Sequence, residues 1–475
     1  MKLGTRLFLT LVLIALLYGS ASPQISKQAS SDASLAAIRR QDQEARNAKG
    51  TITRLTPEEH LRRAAIYHVN RAFDEAREHW QALINYYPDD PRVAEALFGI
   101  GRSYFQARYY SEAYDAYNRL ARTYPSTKEG REGLNFSAAA LLRMGKTSDA
   151  ADRYIEYINR FPDGERIETA HLNAIDTLRE AGRLQDASSW IARTRQRFAG
   201  TATETNALFA QLRMEISESN WRRAVSSADE LSRRGFSRAV ATSPAEVAYL
   251  KAYSLERSGK VEEAFAGYLA VPGGIDSYYG WLATDRLINM ADSKQRTLLT
   301  ERTDRNASQA AAAVDLYPAP YRQAILSSAR TQKLDPRFIL ALIRQESVFK
   351  PFAKSPAGAR GLLQLTMDAA QKYASNAGMK PVQESQLYQP ETSIRLGSEY
   401  LAELSEMFPN LPEAVAASYN GGEDNVARWV RRAKQKDPGV FTSEVGFDET
   451  KAYVQKVMNN YRVYKQLYTA DLVRK

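Results

Sequence analysis

An amphipathic pattern recurs every 37 residues across residues 55–270. Each copy holds two stretches with apolar residues at helical spacing, joined by a short turn, and a proline near the end of the second stretch stops the helix. One small residue keeps the register of the copies: Ala76, Ala113, Ala150, Ala187 and Ala224. A sixth, looser copy begins at Val261. A fixed period of this length predicts a helical solenoid whose copies pack on their neighbours.

The recurring alanine allows the two helices of each copy to approach each other closely. The pattern resembles the tetratricopeptide repeat of about 34 residues, lengthened by about three. Solenoids of this kind commonly present a concave binding surface, so proteins of the cell envelope are expected partners of the repeats. A role as a spacer or scaffold stays open beside that interpretation.

The repeat register is lost after residue 270, and helical patterns of other kinds follow. Residues 271–315 combine an aromatic helical stretch with a polar, alanine-rich one and are predicted to form a helical connector. Residues 316–475 carry several amphipathic helices and are predicted to form a compact domain. Ahead of the repeats, residues 23–54 lack apolar periodicity and are predicted to be a flexible lead-in. The whole chain is therefore predicted to be all-α.

Glu346 stands where the helix pattern calls for a hydrophobic residue. It follows Ile339, Leu342 and Ile343 at the spacing of one helical face, and Asp335 has the position of an N-cap. If this stripe is buried, desolvation raises the pKa of the carboxyl and makes it a general acid near neutral pH. The alternative is a glutamate that extends into solvent at a helix end.

Three further polar motifs follow in the predicted domain. Residues 354–364 hold two glycines and a proline, which predicts a tight turn into another helix. Tyr419 and Asn420 end a helix just before a glycine pair, where the backbone bends. Asp448 and Glu449 open the last amphipathic helix, where backbone N–H groups favour an ionised carboxylate. Each motif alone is typical of ordinary helix ends, and only their order and spacing are specific.

In that order, residues 316 to about 465 resemble the catalytic domain of the soluble lytic murein transglycosylases, which has a goose-lysozyme-like fold. The resemblance is carried by four motifs: Gln345-Glu346-Ser347, Gly361-Leu362-Leu363-Gln364, Ala417-Ser418-Tyr419-Asn420, and Glu449-Thr450 with Tyr453. Two positions depart from the family pattern, because Leu363 stands for a methionine and Thr366 replaces a proline that often lines the cleft. The second change affects substrate positioning rather than the reaction.

The resemblance implies a role for each matching residue. Glu346 would be the catalytic acid and then base, cleaving the bond between N-acetylmuramic acid and N-acetylglucosamine and leaving a 1,6-anhydro end. Residues expected to bind substrate are Ser355, Gln364, Tyr419, Asn420, Glu449 and Tyr453. Of these, Gln364, Tyr419 and Asn420 would hydrogen-bond the sugar and Glu346, and Ser355 would polarise an N-acetyl group. Glu449 itself is expected to remain ionised at its helix start.

The N-terminus predicts export. Lys2 and Arg6 precede an apolar run at residues 7–17 and small residues at 19–22, so residues 1–22 are predicted to be a signal peptide, with a retained anchor as the alternative. The run is too short to span a bilayer, and no other membrane span is predicted. The chain has no cysteine, which excludes a disulfide, a thiolate metal site and a lipoprotein anchor.

Composition and charge narrow the classes of molecule that this protein could bind. The 475 residues carry a formal net charge of +10, which favours an anionic partner. Nucleic acid fits poorly with export, whereas a cell-wall polymer fits well, so peptidoglycan strands in the periplasm are the expected substrate. The four histidines are not paired at ligand spacing, and no metal or cofactor is expected. Two alternatives remain open: a lysozyme-like hydrolase that uses water, and a glycan-binding scaffold without catalysis.

Overall fold

A computed structural model describes residues 32–47, 50–355 and 357–475. The predicted signal peptide, residues 1–22, lies outside the described residues. The described chain consists of helices joined by turns, with only isolated β-bridges, as the all-α prediction requires. It forms two compact units, one that ends at Ala199 and one formed by Gly200–Ser355 with Ala359–Lys475.

The first unit is a series of antiparallel helix pairs. Its helices are α1 (Asp32–Glu44), α2 (Pro57–Val69), α3 (Phe73–Tyr86), α4 (Val93–Gln106), α5 (Tyr110–Thr123), α6 (Lys128–Arg143), α7 (Thr147–Arg160), α8 (Ile167–Glu180) and α9 (Leu184–Arg197). The second helix of each pair starts 37 residues after the previous one, at residues 73, 110, 147 and 184. The predicted alanines are fully buried in these helices, so the sequence period is also the packing period.

The second unit continues with two more helix pairs and then leaves the repeat pattern. Its helices are α10 (Ala202–Ser217), α11 (Trp221–Ser232), α12 (Pro244–Arg257), α13 (Val261–Ala270), α14 (Tyr278–Met290), α15 (Ser293–Ala312), α16 (Arg322–Gln332), α17 (Pro336–Ser347), α18 (Met367–Asn376), α19 (Pro390–Met407), α20 (Pro412–Gly421), α21 (Glu423–Ala433), α22 (Pro438–Glu444) and α23 (Asp448–Leu467). One hydrophobic core runs from Leu208 to Leu472. The sequence boundary at residue 270 is therefore a change of pattern within one core.

The predicted flexible lead-in is wrong for its second half, because α1 is a helix there. Ile38 is buried in the core of the first repeats, and Asp42 is buried beneath it. The Asp42 carboxylate accepts hydrogen bonds from Tyr67, from Arg63 and, at 2.9 Å, from Nε2 of His79. These contacts hold α1 on α2 and α3, and they could not be read from a segment without apolar periodicity.

No helix in the described part of the chain combines the length and the apolar character that crossing a membrane requires.

Candidate active site

Glu346 lies in the last turn of α17, whose start and face follow the sequence prediction. The Asp335 carboxylate accepts a hydrogen bond from the backbone N–H of Arg337 at 2.9 Å, which caps the helix. Every apolar position of the predicted stripe is fully buried: Ile339, Leu342 and Ile343. The helix therefore carries Glu346 at the edge of the core.

The Glu346 carboxyl is surrounded by protein, yet the residue keeps partial solvent exposure. The hydroxyl of Tyr453, itself only 2% exposed, donates a hydrogen bond to Oε1 of Glu346 at 2.6 Å. Burial raises the pKa of Glu346 from 4.5 to about 7, and the Tyr453 hydrogen bond opposes part of this rise. No charged side chain is among the causes of the shift. The site thus holds a partly exposed carboxyl group, a substantial fraction of which is protonated near neutral pH.

The backbone just after Glu346 is strained. Val348 and Phe349 both have left-handed conformations, with φ of 50° and 60°. A β-branched and an aromatic residue in this region each cost on the order of 1 kcal/mol or more. The Val348 N–H donates to the Arg344 carbonyl at 3.2 Å, so the helix ends directly beyond Glu346. Helix α17 therefore ends one residue after Glu346.

The predicted tight turn forms a loop that folds back on itself. Ser355 is buried, and its Oγ accepts a hydrogen bond from the Ala359 N–H at 3.1 Å. Gly361 has a φ of 81°, and a Cβ there would lie 2.0 Å from the Leu387 carbonyl oxygen, so only glycine fits. The amide nitrogen of Gln364 donates to the carbonyls of Ala353 and Gly361, at 3.0 and 2.9 Å. The glutamine therefore closes the loop and leaves its Oε1 as an acceptor.

The end of α20 lies against this loop and against α23. The Tyr419 hydroxyl donates to the carbonyl of Leu363 at 2.7 Å, and its ring lies 5.1 Å from that of Tyr400. Burial raises the pKa of Tyr419, and the charge of Glu346 raises it further. The two side chains therefore lie close enough to influence each other's ionisation. Asn420 accepts a hydrogen bond at Oδ1 from the Thr450 hydroxyl at 2.7 Å. The four motifs thus meet around Glu346.

Their hydrogen bonds differ from the sequence expectation. Gln364, Tyr419 and Asn420 were expected to hold Glu346, but the bonds recorded for their side chains join backbone carbonyls and Thr450. Tyr453 is the residue that contacts the acid. Sequence alone does not show which backbone carbonyl accepts a hydrogen bond from a side chain. Tyr453 lies 107 residues from Glu346, so local spacing could not predict that contact either.

Glu449 lies in the first turn of α23, where backbone N–H groups favour the anion. Burial raises the pKa of its carboxyl, and the charge of Lys456 partly offsets this rise. That Glu449 is ionised in the folded protein stays a prediction. Among residues 32–47, 50–355 and 357–475, no group of three or more His, Cys, Asp or Glu side chains could hold a metal ion.

Comparison with known families agrees with these motifs. A family described as the transglycosylase SLT domain matches residues 323–441, and a tetratricopeptide repeat family matches residues 64–126. The chain carries a transglycosylase SLT domain. The matched span of this SLT domain contains Glu346, Ser355, Gln364, Tyr419 and Asn420, and it ends before α23, which supplies the tyrosine that contacts Glu346.

Relatives of the SLT domain are known by sequence and by structure. A Haemophilus influenzae protein assigned as a soluble lytic murein transglycosylase is 35% identical over 151 residues, covering 32% of this chain and 25% of that protein. The soluble lytic murein transglycosylase of Escherichia coli is 31% identical over 159 residues, covering 33% of this chain and 24% of that protein. The chain thus matches about a quarter of the length of these relatives.

A solved structure extends the likeness beyond the SLT domain. The lytic transglycosylase Slt of Pseudomonas aeruginosa, solved as an inactive mutant, matches with a TM-score of 0.50 and 18% identity, over 86% of this chain and 81% of that chain. At this identity the likeness shows the fold alone. The predicted architecture, a tetratricopeptide-like superhelix followed by a mainly helical lysozyme-like domain, is confirmed.

Proposed function

We propose that this protein is an exported lytic transglycosylase of peptidoglycan. It cleaves the β-1,4 bond between N-acetylmuramic acid and N-acetylglucosamine and leaves 1,6-anhydro ends on the muramic acid. The observation that carries the proposal is the single carboxyl of Glu346, with a pKa of about 7, partial exposure and no charged neighbour acting on it. The SLT domain match supports the substrate class.

In the first step Glu346 acts as a general acid. A pKa of about 7 leaves a substantial protonated fraction at neutral pH, so the proton is available to the glycosidic oxygen. Tyr453 donates to Oε1. The acidic proton therefore belongs on Oε2, the oxygen without that bond. Proton transfer to the glycosidic oxygen lets N-acetylglucosamine depart, and Glu346 becomes a carboxylate that the Tyr453 hydroxyl stabilises.

In the second step the same carboxylate acts as a base. Glycosidases that use a carboxylate nucleophile hold two carboxyl groups about 5–5.5 Å apart. A second carboxylate at that distance would raise the pKa of Glu346 by its charge, whereas burial and the Tyr453 hydrogen bond account for the shift, which favours a mechanism with a single carboxyl. The nucleophile is instead the C6 hydroxyl of the muramic acid, which attacks its own C1 and gives its proton to Glu346. Because the attack is intramolecular, a high effective concentration replaces a bound water.

The loop and the end of α20 provide the substrate contacts. Gln364 keeps Oε1 as an acceptor after both donated bonds close the loop. Ser355 accepts from Ala359 and retains a hydroxyl proton for a sugar N-acetyl carbonyl. Asn420 keeps its amide N–H groups as donors, because Thr450 bonds its oxygen. Glu449, in the first turn of the helix that carries Tyr453, is a further residue to which we assign glycan binding.

We propose that the protein is exported and acts in the periplasm, in line with the signal-peptide pattern of residues 1–22. Its substrate there is the peptidoglycan glycan strand. The tetratricopeptide-like repeats are the surface on which we place envelope protein partners, because such solenoids commonly bind other proteins. No nucleic acid and no cofactor takes part in the proposed reaction.

Digestion of purified sacculi tests the proposal. Wild-type protein is compared with Glu346→Gln, which keeps the shape of the side chain and removes the acid, and with Glu406→Gln, a control at an exposed position of α19. General acid catalysis contributes about 100-fold to 10,000-fold, so Glu346→Gln is expected to lose at least about 100-fold in rate. The control is expected to match the wild type.

The products separate the proposal from its alternatives. A transglycosylase releases muropeptides lighter by one water than hydrolysis products, with ends that borohydride does not reduce. Reducible ends would assign the domain to water-using hydrolysis as in goose-type lysozyme. Glycan binding without release of muropeptides by the wild type would make the protein a scaffold, and unchanged digestion by Glu346→Gln would remove Glu346 as the catalyst.

A further inference from the structure

A buried ion pair joins the last repeats to the helix that carries Tyr453. Lys451 of α23 is 6% exposed and Glu246 of α12 is 1% exposed. Nζ of Lys451 lies 2.7 Å from Oε1 of Glu246 and donates to the Ala241 carbonyl at 2.8 Å. The ammonium also lies 4.8 Å from the centre of the Phe209 ring. One lysine of the C-terminal helix is therefore bound on several sides by the repeat helices α10 and α12.

The acceptor side of the pair is equally constrained. The Glu246 carboxylate accepts hydrogen bonds from Tyr279 at 2.8 Å and from Thr242 at 2.9 Å, in addition to its contact with Lys451. Each of these hydrogen bonds restricts the orientation of the Glu246 carboxylate, so the ion pair has a defined geometry. Burial lowers the pKa of Lys451, and the neighbouring Glu246 charge favours the ammonium form.

The location of Lys451 is unfavourable for stability alone. It lies in the first turns of α23, next to the positive end of the helix dipole, where an acid would be preferred. Buried ion pairs in general contribute little stability relative to apolar pairs of similar volume. A buried cation at this end of the helix therefore calls for a role other than the folding of α23.

The neighbours of Lys451 indicate that role. Thr450, one residue before it, donates to Asn420, and Tyr453, two residues after it, donates to Glu346. The turn of α23 that holds Lys451 is thus the turn that aims both hydroxyls at the site. A second ionic contact holds the preceding helix α22, where Glu444 pairs with Arg213 of α10 at 3.1 Å and with Arg432 at 2.7 Å.

We propose that the Lys451–Glu246 pair is a positioning device for catalysis: α12 fixes the first turns of α23 and thereby the hydroxyl of Tyr453 on the carboxyl of Glu346. The inference rests on the proposed function of Glu346. Lys451 touches no substrate, and it acts through Tyr453. The repeats, on this account, contribute to the reaction as well as to binding.

The test uses the full chain and a neutral version of the pair. The double variant Lys451→Met with Glu246→Gln leaves no unpaired buried charge. The glutamine oxygen can still accept from Tyr279, and its amide nitrogen can donate to the Thr242 hydroxyl oxygen. Lys451→Arg keeps the charge and serves as the conservative variant, while Lys465→Met removes an exposed lysine from the far end of the same helix as a control. Sacculus digestion gives kcat and KM, and thermal unfolding gives the folded fraction.

The double variant is expected to be folded at the assay temperature, with kcat reduced at least about tenfold and KM within about twofold, because a displacement near 1 Å at a reacting group can cost about 100-fold. Lys451→Arg is expected to recover most of kcat, and the control to match the wild type. A folded double variant with wild-type kcat would overturn the inference. So would a double variant that is unfolded, since the pair would then serve stability alone. Either result leaves the proposed function intact as long as wild type digests sacculi and Glu346→Gln does not.

Discussion

Removal of one hydroxyl, in Tyr453→Phe, is expected to raise the pKa of Glu346, the proposed catalytic acid. In the structure burial raises the pKa of Glu346 to about 7, while the hydrogen bond from Tyr453 lowers it by favouring the anion. Phenylalanine keeps the ring in its buried site and removes only that opposing contribution. The carboxyl therefore holds its proton to a higher pH in the variant.

The size of the shift follows from the difference between two hydrogen bonds. A bond to a charged group is worth about 1.5–3 kcal/mol, and one to a neutral group about 0.5–1.5 kcal/mol. The ionised form of Glu346 thus loses about 1–1.5 kcal/mol more than the protonated form. Since one pKa unit corresponds to about 1.4 kcal/mol, the pKa is expected to rise by about one unit.

The assay is the pH dependence of kcat/KM. The first step needs protonated Glu346, so activity declines as pH rises through its pKa, and this alkaline limb should move about one unit upward in Tyr453→Phe. The absolute rate can fall as well without changing the position of the limb. Titration of the labelled Glu346 carboxyl by nuclear magnetic resonance measures the same pKa directly.

A matched control lies on the same two helices. The Tyr461 hydroxyl of α23 donates to Oδ2 of Asp335, the cap of α17, at 2.9 Å. Tyr461→Phe therefore removes the same atom from the same helix pair without altering the contact to Glu346, and its alkaline limb should match the wild type. A limb that stays in place in Tyr453→Phe, or moves to lower pH, would refute the account of the Glu346 pKa.

Two further predictions concern stability. The pKa of Glu346 rises from 4.5 to about 7 on folding, so the native protein loses stability as pH rises through this window. In denaturant unfolding, Glu346→Gln should therefore be about 1–3 kcal/mol more stable than the wild type at pH ~8. At pH ~4 this difference should be absent. Equal stability at both values would contradict the burial argument. In the first unit, burial and the charges of His79 and Arg63 lower the pKa of His60 from 6.5 to about 4. The contribution of neutral His60 to the stability of the folded state is therefore complete above pH 6.5, and it is lost as pH falls from 6.5 toward 4. Protection factors for hydrogen exchange in α1–α3, which correct for the intrinsic pH dependence of exchange, should fall in that window, and constant protection factors would count against it.

The sequence predicted the features that repeat or that depend on local spacing. The starts of α3, α5, α7, α9 and α11 fall 37 residues apart, because one buried alanine per copy fixes how closely the helices pack. The apolar stripe of α17 could be predicted equally well, because the periodicity of one helix determines which of its residues are buried.

What the sequence could not predict depends on partners far apart in the chain. Asp42 of α1 accepts a hydrogen bond from His79, 37 residues away, and a polar segment gives no sign of that contact. Tyr453 is predicted from the sequence to bind substrate, and in the structure its hydroxyl donates a hydrogen bond to Glu346. Gln364 and Tyr419 donate to backbone carbonyls, whose positions follow only from the folded loop.

Three residues of the second unit that depart from local rules are connected to the Glu346 site. Glu346 puts a carboxyl at the end of an apolar stripe, and Val348 begins a left-handed turn directly after it. Lys451 puts a buried cation near the positive end of α23, two residues before the tyrosine that contacts Glu346. Each feature is unfavourable by itself, and none improves the packing of its own helix. Together they hold a partly exposed carboxyl with a raised pKa in one orientation, which is what the proposed reaction with a single carboxyl requires. A change that relieves any one of them is therefore expected to exchange activity for stability.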